Sequence, residues 1–238
     1  MARDNGAADR TTRDEAAADR VSRYETARAH MIDSQLRPNK VTDERLLAAF
    51  ERIRRELFVA EPLRPVAYID EDLPLGRGRY LMEPMVSARL LQAAAPGRND
   101  TALVVGAGPG YEAALLSLLA RSVVGVEEDA ALARQARSAL VDHHIASAKI
   151  VEAPLAEGCR ANAPYDVILF GGAIAELPGP IAAQLGEGGR LVAIVKTVGG
   201  VGRATLMTRT GGILGSRVMF DAATPLLPGF RPEPAFVF

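Results

Sequence analysis

The sequence predicts an α/β fold with a doubly wound, mostly parallel sheet, preceded by helices and followed by an antiparallel element. From residue 101 onward, short apolar runs alternate with helical stretches, which is typical of such a sheet. A glycine-rich turn directly follows the first of these runs. The length of 238 residues fits one domain with an appendage. We therefore expect a disordered, solvated tail (1–20), a helical appendage with a loop (21–98) and an α/β core (99–238).

The N-terminal half is predicted to be helical and irregular. Residues 1–20 contain no bulky apolar side chain beyond Met1, so they cannot offset the entropy cost of ordering. An amphipathic helix is expected from Val21 to about Gln35. A second helix begins with Thr42 as N-cap and has one apolar face, formed by Leu46, Leu47, Phe50 and Ile53. Residues 60–80 are rich in proline and glycine and predict a loop, after which a third helix starts near Pro84.

The remaining elements follow the alternating pattern of the core. Buried strands are predicted over Thr101–Val105, Ser122–Val126, Lys149–Val151, Asp166–Phe170 and Arg190–Val195. Helices are predicted over Tyr111–Ala120, Ala130–Val141 and Ile181–Leu185. Residues 202–238 indicate two or three antiparallel strands with a turn at Gly211–Gly212. This order favours a sheet that is covered on both faces.

Composition excludes several classes of function. A formal net charge of -1 argues against a dedicated nucleic-acid surface, which needs an excess of Lys and Arg. The single Cys159 cannot form an internal disulfide, and with three histidines it predicts no metal site. No apolar run reaches the roughly 18–20 residues that span a bilayer, and the N-terminus has no secretory pattern. We expect a cytoplasmic protein with no membrane partner.

The sharpest motif is the glycine series Gly106, Gly108 and Gly110, which lies between a strand and a helix. A dinucleotide fingerprint would need glycine at Tyr111, so the spacing suits a ligand without a pyrophosphate. Glu127 ends the next strand, where an acid can accept hydrogen bonds from ribose hydroxyls. Each feature alone is often structural, but together they predict a nucleoside-bearing cofactor. The expected cofactor contacts are Gly106, Ala107, Gly108, Gly110, Tyr111, Glu127 and Glu128.

Five sequence blocks resemble the protein-L-isoaspartate O-methyltransferase family. IRRELFV (53–59) is similar to its V-P-R-x-x-F-V, and AYIDEDLPLGRG (67–78) to its A-Y-x-D-x-x-L-P-I-G-x-G. GAGPGYEAALL (106–116) resembles G-T-G-S-G-Y-Q-A-A-V-L. APYDVILF (163–170) and PIAAQLGEGGRLV (180–192) resemble the family's A-P-Y-D-x-I-x-V and L-x-x-Q-L-x-x-G-G-R-L-V. Their order and spacing cover nearly everything from Met31 onward.

The resemblance implies a Rossmann-like methyltransferase fold with S-adenosylmethionine as the methyl donor. The implied activity is methyl esterification of a carboxylate on isoaspartyl-containing proteins or peptides, as part of protein repair. A carboxylate is already ionised at neutral pH, so such an enzyme needs no general base. Residues 99–238 would form the methyltransferase core, and the loop from Leu75 to Glu83 would form the acceptor side. The oligomeric state is left open.

The chain departs from the family's pattern around the implied site. The segment GRGRYLMEP (76–84) aligns with the family's G-x-G-Q-T-I-S-x-P, so Met82 replaces the family's serine. The catalytic residue therefore stays unassigned. Arg77, Arg79 and Tyr80 are the candidates on the acceptor side, and the two arginines either grip a carboxylate or are solvated loop residues. Val104 and Ala153 replace two acids, and FGGA (170–173) replaces V-T-A-A. Two alternatives therefore stand beside the repair enzyme: a methyltransferase with another acceptor, and a non-catalytic binding or regulatory module without efficient donor binding.

Overall fold

A computed structural model describes residues 19–197 and 200–230 of the protein. The appendage contains a helix over 19–31 (α1), which continues into a wider π-helical turn, Ile32–Leu36. It also contains α2 (Glu44–Arg52), a hairpin of β1 (Leu73–Gly76) and β2 (Arg79–Leu81), and α3 (Pro84–Ala94). The core strands are β3 (Thr101–Val105), β4 (Ser122–Glu127), β5 (Ala148–Glu152), β6 (Tyr165–Ile174), β7 (Leu185–Val195), β8 (Gly202–Thr210) and β9 (Ile213–Ala222). The core helices are α4 (Tyr111–Ser117), α5 (Ala130–Asp142) and α6 (Gly179–Ala182).

The core strands form one seven-stranded sheet in the order β5-β4-β3-β6-β7-β8-β9. Strands β3 to β7 are mutually parallel, and β8 and β9 join antiparallel to β7. The chain leaves β3 toward β4 and β5 and later returns to the other side of β3 as β6. The carboxyl ends of β3 and β6 therefore flank the topological switch point, where ligands bind in open α/β sheets.

The sheet separates two hydrophobic clusters because successive strand residues point to opposite faces. Val104 packs on the face that carries helices α2 to α5, whereas Leu103 and Val105 pack on the opposite face. The second face is covered by α6, short 3-10 turns and the segment ending at Phe230. The appendage and the sheet share the first cluster. The prediction of a doubly wound, mostly parallel sheet with N-terminal helices and an antiparallel end is confirmed.

Several local expectations differ from the structure. Asp43, and not Thr42, caps α2, since its carboxylate accepts from the backbone N of Arg45. The region expected as a loop contains the β1–β2 hairpin, and β6 continues four residues beyond Phe170. The Gly211–Gly212 turn joins β8 to β9 as expected. Most of the expected N-terminal tail, residues 1–18, and residues 231–238 lie outside the described part, and the division at residue 98 stays a prediction.

Within residues 19–197 and 200–230, no helix is both long and apolar enough to cross a bilayer. In the same part of the chain, no three His, Cys, Asp or Glu side chains come together as a possible metal site.

Candidate functional site at the carboxyl ends of β3, β4 and β6

The glycine loop turns away from the end of β3 and is anchored to the neighbouring strand. The backbone N atoms of Gly106 and Ala107 both donate to the carbonyl of Val126, each at 2.9 Å. Gly106 has a φ of 75° and Gly108 a φ of 54°, a left-handed conformation that glycine adopts without the strain of a Cβ. The loop thereby places backbone without side chains at the switch point.

Glu127 lies beside this loop but is not open to solvent. Its side chain is completely buried. One carboxylate oxygen accepts from the backbone N of Gly108 at 2.7 Å, and the other accepts from the backbone N of Asp129 at 3.0 Å. The acid is therefore held rigidly at the position where a ribose acceptor was expected.

Arg79 forms the third contact of Glu127 and neutralises its charge. Its Nη1 donates to the carboxylate at 2.7 Å, and only 3% of the Arg79 side chain is exposed. The atoms Nε and Nη2 of this guanidinium have no hydrogen-bond partner among the described residues. Arg79 begins β2, directly after the hairpin turn, so the hairpin places the cation over the glycine loop. The alternative of a solvated loop arginine is excluded for Arg79.

Leu227 also packs against this loop. A Cβ placed on Gly106 would lie 3.1 Å from both Arg79 Nη2 and a methyl group of Leu227. The backbone of Leu227 donates to the carbonyl of Ala173 at 2.8 Å, and Ala173 donates to the carbonyl of Pro225 at 2.9 Å. Phe230 packs edge-on against Phe170, with ring centroids 5.7 Å apart. The segment after β9 is thus fastened to the end of β6.

The glycines at the end of β6 make this close packing possible. A Cβ on Gly171 would lie 2.2 Å from the carbonyl oxygen of Gly106, and one on Gly172 would lie 2.8 Å from the Leu227 side chain. Any other residue at these positions would force the backbone or Leu227 to move. The absence of side chains at Gly171 and Gly172 therefore allows β6 and Leu227 to pack closely against the glycine loop.

The remaining expected cofactor contacts have mixed surroundings. Gly110 lies at the start of α4, where a Cβ would be 3.1 Å from Ala136 of α5, so it serves helix packing. The Tyr111 side chain is completely buried and packs edge-on against Phe50 and Phe58, away from solvent. Glu128 is exposed. The loop, Ala107 included, and Glu127 are thus brought together, whereas the Tyr111 side chain belongs to the core.

The candidate residues on the acceptor side also differ in their surroundings. Arg77 is 79% exposed at the hairpin turn and pairs with Asp129, the N-cap of α5, at 2.8 Å. Tyr80 is half-buried in β2. Met82, at the position of the family's serine, is buried, and its carbonyl accepts from Nη2 of the completely buried Arg55 at 2.7 Å. No hydroxyl therefore projects from residue 82.

An acidic group lies next to these residues. Glu83 is half-buried, and its backbone N donates to the carboxylate of Asp72 at 2.9 Å. Burial, together with the negative charge of Asp72, raises the pKa of Glu83 to about 7. This carboxyl group is half-protonated near neutral pH, which sequence reasoning did not anticipate.

The comparisons with known proteins decide the family. Residues 26–217 match the family model described as protein-L-isoaspartate(D-aspartate) O-methyltransferase. The chain belongs to this family. A protein-L-isoaspartate O-methyltransferase of Koribacter versatilis is 42% identical over 165 residues, which are 69% of this chain and 74% of the relative. One from Aromatoleum aromaticum is 36% identical over 206 residues, which are 85% of this chain and 93% of the relative.

Solved structures of family members share the fold. One protein-L-isoaspartate O-methyltransferase superposes with a TM-score of 0.75 at 23% identity, over 85% of this chain and 66% of the other. A Plasmodium falciparum protein assigned to the same family, in complex with S-adenosyl-L-homocysteine, gives a TM-score of 0.72 at 17% identity. That alignment covers 86% of this chain and 97% of the other. The fold is therefore the Rossmann-like one of this methyltransferase family.

The chemistry of this site suits the family's donor, and other side chains lie close to the glycine loop. The glycine loop and Glu127 offer the backbone cradle and the acid that a nucleoside needs. The volume directly over Gly106 is occupied by Arg79 and Leu227, and a Leu75 methyl lies 3.4 Å from a Cβ placed on Gly108. These side chains therefore lie close against the loop that would receive the donor.

Sequence reasoning missed the pairing of Arg79 with Glu127 and the part played by Leu227. The two charged residues are 48 positions apart, and the hairpin that joins them was read as a loop. A signal was available in LPLGRGRYL (73–81), where extended residues flank a glycine-containing turn. The replacement of V-T-A-A by FGGA was a second signal, since paired glycines in a strand often mark a close backbone approach.

Proposed function

We propose that the chain is an S-adenosylmethionine-dependent carboxyl O-methyltransferase that acts on isoaspartyl carboxylates of proteins or peptides, in protein repair. Its membership of the family over residues 26–217 carries this proposal. The glycine loop at the switch point, with Glu127 beside it, supports the proposal because both lie where an α/β sheet binds a nucleoside. The cytoplasmic location expected from the sequence stays a prediction.

The chemistry requires little of the protein's own side chains. The donor, when bound, supplies an activated methyl group, and the acceptor carboxylate is ionised at neutral pH. The protein has to hold the two reactants in line and exclude water, and such positioning can lower a barrier by roughly 7–11 kcal/mol. The absence of a hydroxyl at Met82 therefore does not remove a general base. We assign the donor side to Gly106, Ala107, Gly108 and Glu127.

Methyl transfer to a synthetic peptide tests the proposal. The full-length chain is incubated with methyl-labelled S-adenosylmethionine and a peptide that contains one isoaspartyl residue, and base-labile methyl ester is counted. The same peptide with ordinary aspartate is the matched control. We expect label only with the isoaspartyl peptide. Equal labelling of both peptides, or of neither, would contradict the proposed acceptor.

A second candidate, methyl transfer to a different acceptor, is favoured by one observation. Met82 is buried and Tyr80 is half-buried at the two positions where the family has hydroxyls. Because Met82 carries no hydroxyl, the site loses the hydrogen bond that a serine there could make to the acceptor's carboxylate or backbone. The variant Met82→Ser restores one hydroxyl, and a rise in kcat/KM for the isoaspartyl peptide would support the first candidate. A Met82→Ser protein that does not methylate the isoaspartyl peptide but methylates another carboxylic acid would support the second.

A further inference from the structure

The side chains that fill the crevice come from two segments outside the glycine loop. Arg79 enters from the β1–β2 hairpin, and Leu227 enters from the segment that follows β9. We call these two residues the closing pair. Their contacts converge on Gly106, at the point where the fold offers a nucleoside site. Arg79 uses the same carboxylate that would receive the ribose, so we expect the closing pair and the donor to compete for this site.

We propose that the closing pair is an internal, autoinhibitory occupant of the donor crevice, and that donor binding requires Arg79 to release Glu127. This inference rests on the proposed function, since it concerns the donor of that reaction. The closed state is the one described here. Donor binding then exchanges an ion pair for hydrogen bonds between Glu127 and the ribose, and this exchange lowers the apparent affinity.

The structure shows why the closed state can open. Arg79 Nε and Nη2 are buried with no hydrogen-bond partner in the part of the chain that the structure describes, and an unpaired buried donor penalises the conformation that buries it. Residues 76–78 immediately before it all have positive φ, between 51° and 87°. The exposed Arg77 ties the turn to Asp129, so Arg79 can rotate outward while the hairpin stays in place. Opening therefore moves the Arg79 side chain and the segment that carries Leu227, whose backbone is hydrogen-bonded to Ala173.

Equilibrium binding of S-adenosylhomocysteine, measured by calorimetry, tests the proposal. Arg79→Gln restores the family's residue at this position and removes the competing cation, while Glu127 remains. We expect Arg79→Gln to bind S-adenosylhomocysteine at least about tenfold more tightly than the natural chain does. Leu227→Ala should also raise the affinity for S-adenosylhomocysteine. Arg98→Gln, which removes the same charge from an exposed position, is the matched control and should not change the affinity.

Hydrogen exchange provides a readout that does not depend on activity. The amides of Leu227 and Ala173 are hydrogen-bonded in the closed state, so saturating S-adenosylhomocysteine should speed their exchange in the natural chain. Equal affinity in the natural chain and in Arg79→Gln would overturn the closing role but leave the proposed function intact. If neither protein binds S-adenosylhomocysteine although circular dichroism shows that both are folded, the proposed function would be overturned together with the closing role. Tight binding by Arg79→Gln without methyl transfer would support the closing role and refute the proposed function.

Discussion

Because Arg79 and Glu127 form a buried ion pair, substitutions of these two residues should have strongly non-additive effects on the free energy of unfolding. The charged atoms are 2.7 Å apart, and both side chains are shielded from water. Removing one partner of such a pair leaves the other charge uncompensated, which typically costs about 3–5 kcal/mol. Replacing both partners by neutral groups avoids that cost. Arg79→Met and Glu127→Gln should each lower the free energy of unfolding by about 3–5 kcal/mol, and the double variant by no more than one of them.

A double-mutant cycle measured by urea unfolding at neutral pH gives this coupling, which should reach about 3 kcal/mol. Glu127→Gln keeps an oxygen for the backbone N of Gly108 or Asp129, so the cycle reports mainly on charge. The exposed pair of Arg37 and Glu44, 2.9 Å apart, is the matched control cycle and should show no measurable coupling. Additive effects of Arg79→Met and Glu127→Gln, within about 0.5 kcal/mol, would refute the pairing in solution.

Two further predictions concern the residues around the crevice. Gly171→Ala should lower the free energy of unfolding by about 1–3 kcal/mol, because its Cβ would meet the backbone of Gly106. Thermal unfolding measures this effect, and Gly179→Ala is the control, because its Cβ would meet no described atom within 4 Å. Burial, with the charge of Asp72, raises the pKa of Glu83 from 4.5 to about 7, so the folded state holds this proton more tightly than the unfolded chain does. Its contribution to stability therefore declines as pH rises from about 4.5 to about 7, and Glu83→Gln should flatten that decline in urea midpoints measured at pH 5 and pH 8. Identical pH dependence in both proteins would contradict the raised pKa.

The elements that the sequence predicted well are those with a strong local pattern. The run Thr101–Val105 is a buried strand with the expected bounds, because a continuous apolar segment that ends in glycine is typical of a parallel sheet. The three glycines of the loop all have positive φ, as the turn between β3 and α4 requires. Local spacing was sufficient here because each feature is formed by neighbouring residues.

The content of the crevice could not be predicted in the same way. Glu127 was correctly placed at the end of β4, but its partner depends on a hairpin whose pairing, Leu73 with Leu81, brings in a distant segment. Leu227 carries no pattern that distinguishes it from any other apolar residue near the end of the chain. Both contacts are long-range. Sequence periodicity predicts local backbone conformation but does not identify which distant residues come into contact, so these two contacts could not be predicted.

Three of the departures from the family's pattern, Arg79, Gly171 and Gly172, meet in one volume of the structure. Arginine at position 79 is tolerated in a buried place because Glu127 lies opposite, whereas the family's neutral glutamine would leave that acid free. The glycines at 171 and 172 carry an entropy cost of roughly 0.5–1 kcal/mol each within a strand, yet they allow Leu227 to approach Gly106. Independent loss of donor contacts would leave a hollow over the loop, but these substitutions together fill it. Their convergence on Gly106 supports the proposed closure of the donor crevice.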